Sequence, residues 1–139
     1  MLLAVMRAAL TACIPLLGLA GCSLGADEEP ETVEGAPREI AAVVDALEQA
    51  TRRGDYQTIC DDLFTSGARR RAGGADCARL LRSTSRGLRR PRIELLEIQL
   101  KERGAEVRVR TRAEGQPSLV DTIEMSRERG EYRIEALAG

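Results

Sequence analysis

The chain has 139 residues, a formal net charge of −1 and no histidine or tryptophan. Two tyrosines and one phenylalanine are its only aromatic residues, so its core must be aliphatic and base stacking on nucleic acid is not expected. The lack of histidine removes the commonest acid–base group and metal ligand, and the length suits one modest domain.

The first 21 residues have the features of a signal peptide. Arg7 supplies a positive charge, and the fourteen residues from Ala8 to Gly21 are uncharged. A leader needs a positive start, about 7–15 apolar residues and small residues at the cut, whereas a membrane-spanning helix needs about 20 apolar residues. Residues 1–21 are therefore predicted to be a leader, with translation starting at either Met1 or Met6.

The leader ends in Leu19-Ala20-Gly21-Cys22, which resembles the end of a bacterial lipoprotein signal peptide. The resemblance implies cleavage between Gly21 and Cys22 and a diacylglyceryl group on Cys22, often with a further acyl chain on the new N-terminus. Two or three chains give durable attachment, which one chain does not. The predicted location is the cell membrane, lipid-anchored and extracytoplasmic, while an ordinary secretory leader ending near a cysteine remains the alternative.

Residues 22–37 are predicted to be the lipidated cysteine followed by a flexible acidic tether. The segment carries five acids and only two larger apolar residues, Leu24 and Val33. Such a composition cannot bury enough surface to offset the entropy of ordering. Residues 38–139 are therefore assigned to the domain.

Two cysteines are left for that domain. Cys13 leaves with the leader and Cys22 is acylated, so Cys60 and Cys77 remain, and outside the cytosol they are most simply a disulfide. Free buried thiols are the alternative. No metal site or cofactor is predicted, because structural zinc usually takes four Cys or His ligands.

The domain is predicted to begin with three helices. Ile40, Val43, Val44, Leu47 and Ala50 share one helical face, and Gly54 follows as a terminator. Asp55 is expected to cap a second helix that buries Tyr56, Ile59, Cys60, Leu63 and Phe64. Residues 66–74 are expected to be a loop that could include one helical turn. Asp76 is expected to cap a third helix that buries Cys77, Leu80 and Leu81, with Leu88 as a further candidate.

Beyond Pro91 the apolar residues alternate with a period of two, which predicts strands. The phase changes between Leu95 and Leu96, which indicates a bulge. Turns at Arg103-Gly104 and Arg129-Gly130 predict two hairpins. The fold class is thus α+β, with three N-terminal helices packed on a curved antiparallel sheet of about four strands.

The segment Thr122–Leu137 resembles the closing hairpin of the nuclear transport factor 2-like (SnoaL-like) superfamily, on Gly130, Tyr132, Arg133 and Ile134. Gly54-Asp55-Tyr56 with Cys60 and Leu63 is similar to the second helix of small lipoproteins of that superfamily. A tyrosine stands at 132 where the family usually has tryptophan. The resemblance implies a cone-like α+β roll with a cavity between helices and sheet, often in a homodimer.

Family isomerases and cyclases use a carboxylate base with tyrosine, histidine or acid donors inside the cone. Asp121 shares strand parity with Ile123 and Met125 and is the candidate base, with Tyr56 and Tyr132 as further candidate cavity residues. The alternative is that Asp121 lies in water at a strand edge and both tyrosines are packing residues. No serine–histidine pair, phosphate loop or metal cluster is found, so no catalytic residue is assigned and an enzyme is not expected.

Nine arginines and one acid lie between Arg69 and Arg92. On an anchored domain such a basic patch could contact anionic lipids or polymers, or it could be a solvated surface. Its members are Arg69, Arg70, Arg71, Arg86, Arg89, Arg90 and Arg92.

The sequence thus predicts an envelope lipoprotein carrying a non-catalytic accessory domain that binds an unknown protein or small molecule. The alternatives are a small cone-cavity enzyme and a basic-patch contact with the envelope.

Overall fold

The structure is a computed structural model that describes residues 31–138. The bounds of its helices are α1 Glu31–Arg53, α2 Tyr56–Thr58, α3 Ser66–Arg71 and α4 Cys77–Thr84, with a π-helical turn Ile59–Leu63 after α2 and a 3-10 turn Gly74–Asp76 before α4. The strands are β1 Arg92–Lys101, β2 Gly104–Arg112, β3 Leu119–Glu128 and β4 Glu131–Ala138.

The four strands form one antiparallel sheet in the order β1-β2-β3-β4, which confirms the predicted hairpins. The predicted bulge is present between Leu95 and Glu97. A second bulge, which the sequence did not predict, lies in β4. Glu124 and Met125 of β3 pair with Ala136 and Ile134, so Glu135 is the extra residue of β4. Bulges bend the strand that carries them, so both edge strands of the sheet are bent.

The core lies between α1 and one face of the sheet. Ile40, Val44 and Ala50 of α1 are buried, as their spacing predicted. They face the alternating inner residues of the strands, which are Val107, Val109, Ile123, Met125 and Ile134. Helices packed on one face of an antiparallel sheet make this an α+β fold, as expected.

Helix α1 begins earlier than the sequence indicated. Residues 31–37, assigned to the tether, are part of α1, and Ala36 is only 1% exposed. The prediction was wrong because acidic composition and Pro37 were given more weight than the apolar contact made by Ala36. Pro37 removes one backbone donor from the helix, but burial of this face compensates.

The second predicted helix is confirmed in its cap and its buried side. The Asp55 carboxylate accepts a hydrogen bond from the Thr58 backbone N–H at 3.2 Å, and all five residues expected to be buried are buried. Only three residues are α-helical, however, and the rest form the π-helical turn.

The third predicted helix, α4, differs in its cap and its burial. The Asp76 side chain makes no capping bond and accepts from Arg79 instead, at 3.1 Å. Leu80 is 39% exposed rather than buried. The disulfide between Cys60 and Cys77 is present and joins the π-helical turn to α4, which confirms the predicted pairing.

The segment 66–74, expected to be a loop that could include one helical turn, contains the six-residue helix α3. Thr65 caps this helix, because its hydroxyl accepts from the Ala68 N–H at 2.9 Å. The same hydroxyl donates to Glu135 at 2.8 Å, and the Thr65 N–H donates to the Ile134 carbonyl. A cap that also bonds to β4 stabilises a helix that its arginine-rich sequence alone did not indicate.

The turns of the sheet depend on two glycines. Arg129 and Gly130 both have positive φ, 56° and 85°, as a two-residue hairpin turn requires. At Gly104 a Cβ atom would overlap the backbone carbonyl oxygen of Met125. Only glycine therefore lets β2 and β3 pair at this point.

Candidate functional site

A cavity of about 350 Å³ lies between the last turns of α1 and the inner face of the sheet. Its apolar lining residues are Leu47, Ile93, Val109, Ile123 and Leu137. Its polar lining residues are Thr51, Thr111, Asp121 and Thr122. The last turns of α1 thus contribute one side of the cavity, and the four strands of the sheet contribute the other.

Asp121 is the one ionisable group among the residues that line this cavity. It is half-buried, and its Oδ2 accepts a hydrogen bond from the Thr111 hydroxyl at 3.0 Å. Within residues 31–138, Oδ1 has no hydrogen-bond partner and the carboxylate has no ion-pair partner. The arrangement offers an apolar ligand one oriented acceptor at the wall of the cavity.

The mouth of the cavity is apolar. Leu137 lines it and is 56% exposed, and Leu119 is exposed to the same extent on the inner face of β3. A smaller cavity of about 120 Å³ adjoins the first one and shares Thr51, Ile93 and Thr111 with it. The open end of the sheet is therefore a continuous apolar recess.

The structure does not bring the three predicted cavity residues together. Asp121 lines the cavity, but Tyr56 and Tyr132 are buried elsewhere. The Arg82 guanidinium lies 6.0 Å from the centre of the Tyr56 ring, and that of Arg127 lies 4.5 Å from the Tyr132 ring. Neither tyrosine therefore lines the cavity, and both are packing residues beside a guanidinium, as the alternative given from the sequence held.

The predicted basic patch is divided by ion pairs. Arg69 pairs with Asp61 at 3.0 Å, and Arg71 pairs with Glu135 at 2.6 Å. Across the domain, Arg90 pairs with Glu114 and Arg92 with Glu48. Among the residues described, Arg70, Arg86 and Arg89 form no ion pair, so less unpaired charge is available than the sequence count indicated.

The sequence interpretation did not single out three residues that line the cavity, namely Thr51, Thr111 and Leu137. The strict alternation through Val107, Val109 and Thr111 placed Thr111 on the inner face, and this pattern could have identified it. Thr51 lines the cavity although its hydroxyl donates to the Leu47 carbonyl of its own helix at 2.7 Å. No sequence signal indicated that Leu137 would be left uncovered.

Several predicted features lie outside the described residues, namely the leader, Gly21, Cys22 and the tether up to residue 30. Within residues 31–138, no helix is both long enough and apolar enough to cross a bilayer. The same part of the chain has no group of three or more Cys, Asp or Glu side chains placed to hold a metal ion.

A scan against protein-family models finds no match, and a search of curated proteins finds none either. Among solved structures, the chain is similar to a de novo designed NTF2 fold protein, NT-9, with a TM-score of 0.36 and 16% sequence identity. The similarity covers 74% of this chain and 80% of the designed one.

Proposed function

We propose that the protein is a lipid-anchored lipoprotein of the bacterial cell envelope whose nuclear transport factor 2-like domain binds a small, mostly apolar ligand without catalysis. The observation that carries the binding role is the recess at the open end of the sheet, with one carboxylate in an apolar wall. The sequence Leu19-Ala20-Gly21-Cys22 supports the anchor.

The size and chemistry of the cavity define the ligand. A volume of about 350 Å³ is at the lower end of the range of small-molecule sites, about 300–1,000 Å³. Apolar groups of the ligand would contact Ile93, Ile123 and Leu137. A hydroxyl or ammonium group would donate to the free oxygen of Asp121, since the Thr111 hydroxyl holds the other oxygen in place.

Native mass spectrometry of the protein purified from membranes tests the binding role. A co-purifying small molecule should appear with the wild-type chain, and the same spectrum gives the oligomeric state. Leu137→Trp fills the mouth from an exposed position and should abolish co-purification. Leu100→Trp is the matched control, because Leu100 is also exposed on the sheet, at 40%, but does not line the cavity.

Binding that survives Leu137→Trp, or that is lost equally in Leu100→Trp, would exclude this cavity as the site.

The cone-cavity enzyme is the second candidate, and the half-buried carboxylate of Asp121 favours it. Once a ligand is identified, Asp121→Asn separates the two functions. A binding protein keeps most of its affinity for an apolar ligand, with a loss limited to one hydrogen bond and no turnover in either form. An enzyme that uses Asp121 as its base turns the ligand over, and the variant does so far more slowly.

The anchor has its own test. Cys22→Ala should move the protein from the membrane fraction to the soluble fraction, because it removes the site of acylation. A variant that still fractionates with membranes would contradict the lipoprotein assignment but not the cavity's role.

A further inference from the structure

The polar side chains that line the cavity beside the last turns of α1 are those of three threonines and Asp121. A threonine hydroxyl has one proton to donate, whereas a carboxylate can only accept. The Thr51 hydroxyl donates its proton to the Leu47 carbonyl at 2.7 Å, and the Thr111 hydroxyl donates its proton to Asp121 at 3.0 Å. Toward a ligand, both hydroxyls can therefore act only as acceptors.

The third threonine, Thr122, adds no donor to the cavity. Successive side chains of a strand point to opposite faces of the sheet, and Thr122 lies between Asp121 and Ile123, which are on the inner face. The Thr122 hydroxyl is therefore directed to the outer face. Among the side chains that line the cavity, every polar group available to a ligand is thus an acceptor.

The charge of the cavity is negative. Asp121 is the one charged lining residue, and it forms no ion pair within residues 31–138. Arg92 and Arg112 line the smaller adjoining cavity. The four arginines of this neighbourhood share Glu48 and Glu94 in ion pairs open to solvent; they are Arg52, Arg92, Arg110 and Arg112. Water and salt weaken the field of such exposed charges, so the carboxylate of the larger cavity keeps no counter-charge.

We propose that the ligand of this cavity is an organic amine, protonated on nitrogen, with a small apolar body; this inference rests on the proposed binding role. An ammonium group brings several N–H donors and a positive charge, which match an acceptor-only site with an unpaired carboxylate. Hydrogen bonds between ionised partners are about twice as strong as neutral ones. Because Asp121 is half-buried, the ammonium group keeps part of its water and avoids much of the cost of burying an ion.

Other ligand classes fit this site less well. An alcohol would donate one hydrogen bond to Asp121 but would leave its charge without a partner. A carboxylate or phosphate would meet a like charge and would find no free side-chain donor among the lining residues. The site therefore discriminates by charge as well as by apolar contact.

Three probes with the same apolar ring separate these classes, namely cyclohexylammonium, cyclohexanol and cyclohexanecarboxylate. Each is titrated at neutral pH and constant ionic strength into the full chain, purified in detergent with 13C-labelled isoleucine methyl groups. The NMR signals of the Ile93 and Ile123 methyl groups report on the cavity. The Ile98 methyl group reports on effects elsewhere, because Ile98 is half-buried on β1 but does not line the cavity.

We expect cyclohexylammonium to shift the Ile93 and Ile123 signals saturably and the Ile98 signal little. Cyclohexanol should bind about tenfold more weakly, as expected when a charge-assisted hydrogen bond is replaced by a neutral one. Cyclohexanecarboxylate should give no saturable shift.

Two variants make the test specific. Asp121→Asn removes the charge while keeping the shape, so cyclohexylammonium should bind about tenfold more weakly and cyclohexanol should change by less than about threefold. Glu124→Gln is the matched control, because Glu124 is exposed on the outer face of the same strand and does not line the cavity. This variant should bind cyclohexylammonium within about twofold of wild type.

The outcomes separate this inference from the proposed function. If cyclohexanol or cyclohexanecarboxylate binds as tightly as cyclohexylammonium, or if both variants weaken binding equally, the assignment to an amine is overturned while the cavity keeps its binding role. The absence of a saturable shift with all three probes would overturn the binding role, and this inference with it.

Discussion

Removal of the Cys60–Cys77 disulfide is expected to destabilise the domain by about 3 kcal/mol. The bridge joins residues 17 positions apart, and the chain-entropy relation gives about that value for a loop of this length at 25 °C. Both cysteines are 1% exposed, so alanine is the suitable replacement, because it places no hydroxyl in an apolar site.

The loss should be felt most strongly in α4. Cys77 is its one fully buried residue, while Leu80 is exposed and Ala78 and Leu81 are half-buried against the core. Arg82 contacts the Tyr56 ring only at 6.0 Å. Without the bridge, few contacts hold α4 to the remainder of the fold, and its amide hydrogens should exchange faster than those of the sheet.

The assay is urea unfolding followed by circular dichroism, combined with hydrogen exchange, on the variant with both Cys60→Ala and Cys77→Ala. With m-values of about 1–3 kcal/mol/M, the urea midpoint should fall by roughly 1–3 M. Both the variant and its reference carry Cys22→Ala, so that they differ in the bridge and not in acylation. A loss of less than about 1 kcal/mol, or unchanged protection of α4, would refute the reasoning.

Four further predictions concern other parts of the fold. Thr65→Val, which removes the cap of α3 and the bond to Glu135 while keeping the shape of the side chain, should destabilise by about 1–3 kcal/mol in urea unfolding. Gly35→Ala should stabilise the domain by up to about 1 kcal/mol, because Gly35 is inside α1 and a Cβ there meets no atom. Gly104→Ala should destabilise the domain by about 1–3 kcal/mol, because its Cβ would overlap the neighbouring strand. Hydrogen bonds from Arg71, and then from Thr65, hold the pKa of Glu135 below its ordinary value of 4.5. The ionised carboxylate therefore stabilises the fold above that pH, and this contribution is lost as the pH falls through the lowered pKa. The difference in unfolding free energy between wild type and Glu135→Gln should therefore become smaller in acid.

Each of these has an outcome that contradicts it. For the cap, Thr84→Val at an exposed site of α4 should change stability by less than about 0.5 kcal/mol, and a similar effect of both valine variants would argue against the Thr65 network. If Gly35→Ala leaves the unfolding free energy unchanged, residue 35 would belong to the tether and not to α1. If Gly104→Ala leaves it unchanged, β2 and β3 would not require glycine at this point. A stability difference between wild type and Glu135→Gln that does not change between pH 7 and pH 3 would show that Glu135 is not preferentially ionised in the folded state.

The strands could be predicted because their signals are local. The alternation through Val107 and Val109, the change of phase at Leu96 and the Arg129-Gly130 turn each report the conformation of a few neighbouring residues. Cys60 and Cys77 could be paired by elimination. The spacing of apolar residues likewise placed one face of α1 in the core.

The errors occurred where a distant contact decides the conformation. Helix α3 depends on the bonds of Thr65 to β4, 70 positions away along the chain. The start of α1 depends on the burial of Ala36. Asp76 is a local exception, because it could cap α4 by its residue type but pairs with Arg79, three positions along the chain, instead.

The candidate sites show the same division. Parity along β3 was sufficient to place Asp121 on the inner face of the sheet, but it could not show that Tyr56 and Tyr132 are buried away from the cavity. The contacts between the helical segment and the β3–β4 hairpin had no signal at all, because Ser66 meets Glu128, and Asp61 meets Arg133, only through packing.

The sequence by itself therefore determined the α+β class and the order of the strands, since periodicity and composition act over short stretches of chain. The cysteine pairing followed by elimination instead. Only the tertiary structure decided where α1 begins and that a cavity is left between the last turns of α1 and the sheet. The physical reason is that a cavity forms where packed elements leave space between them, and no local pattern in the sequence reports that space.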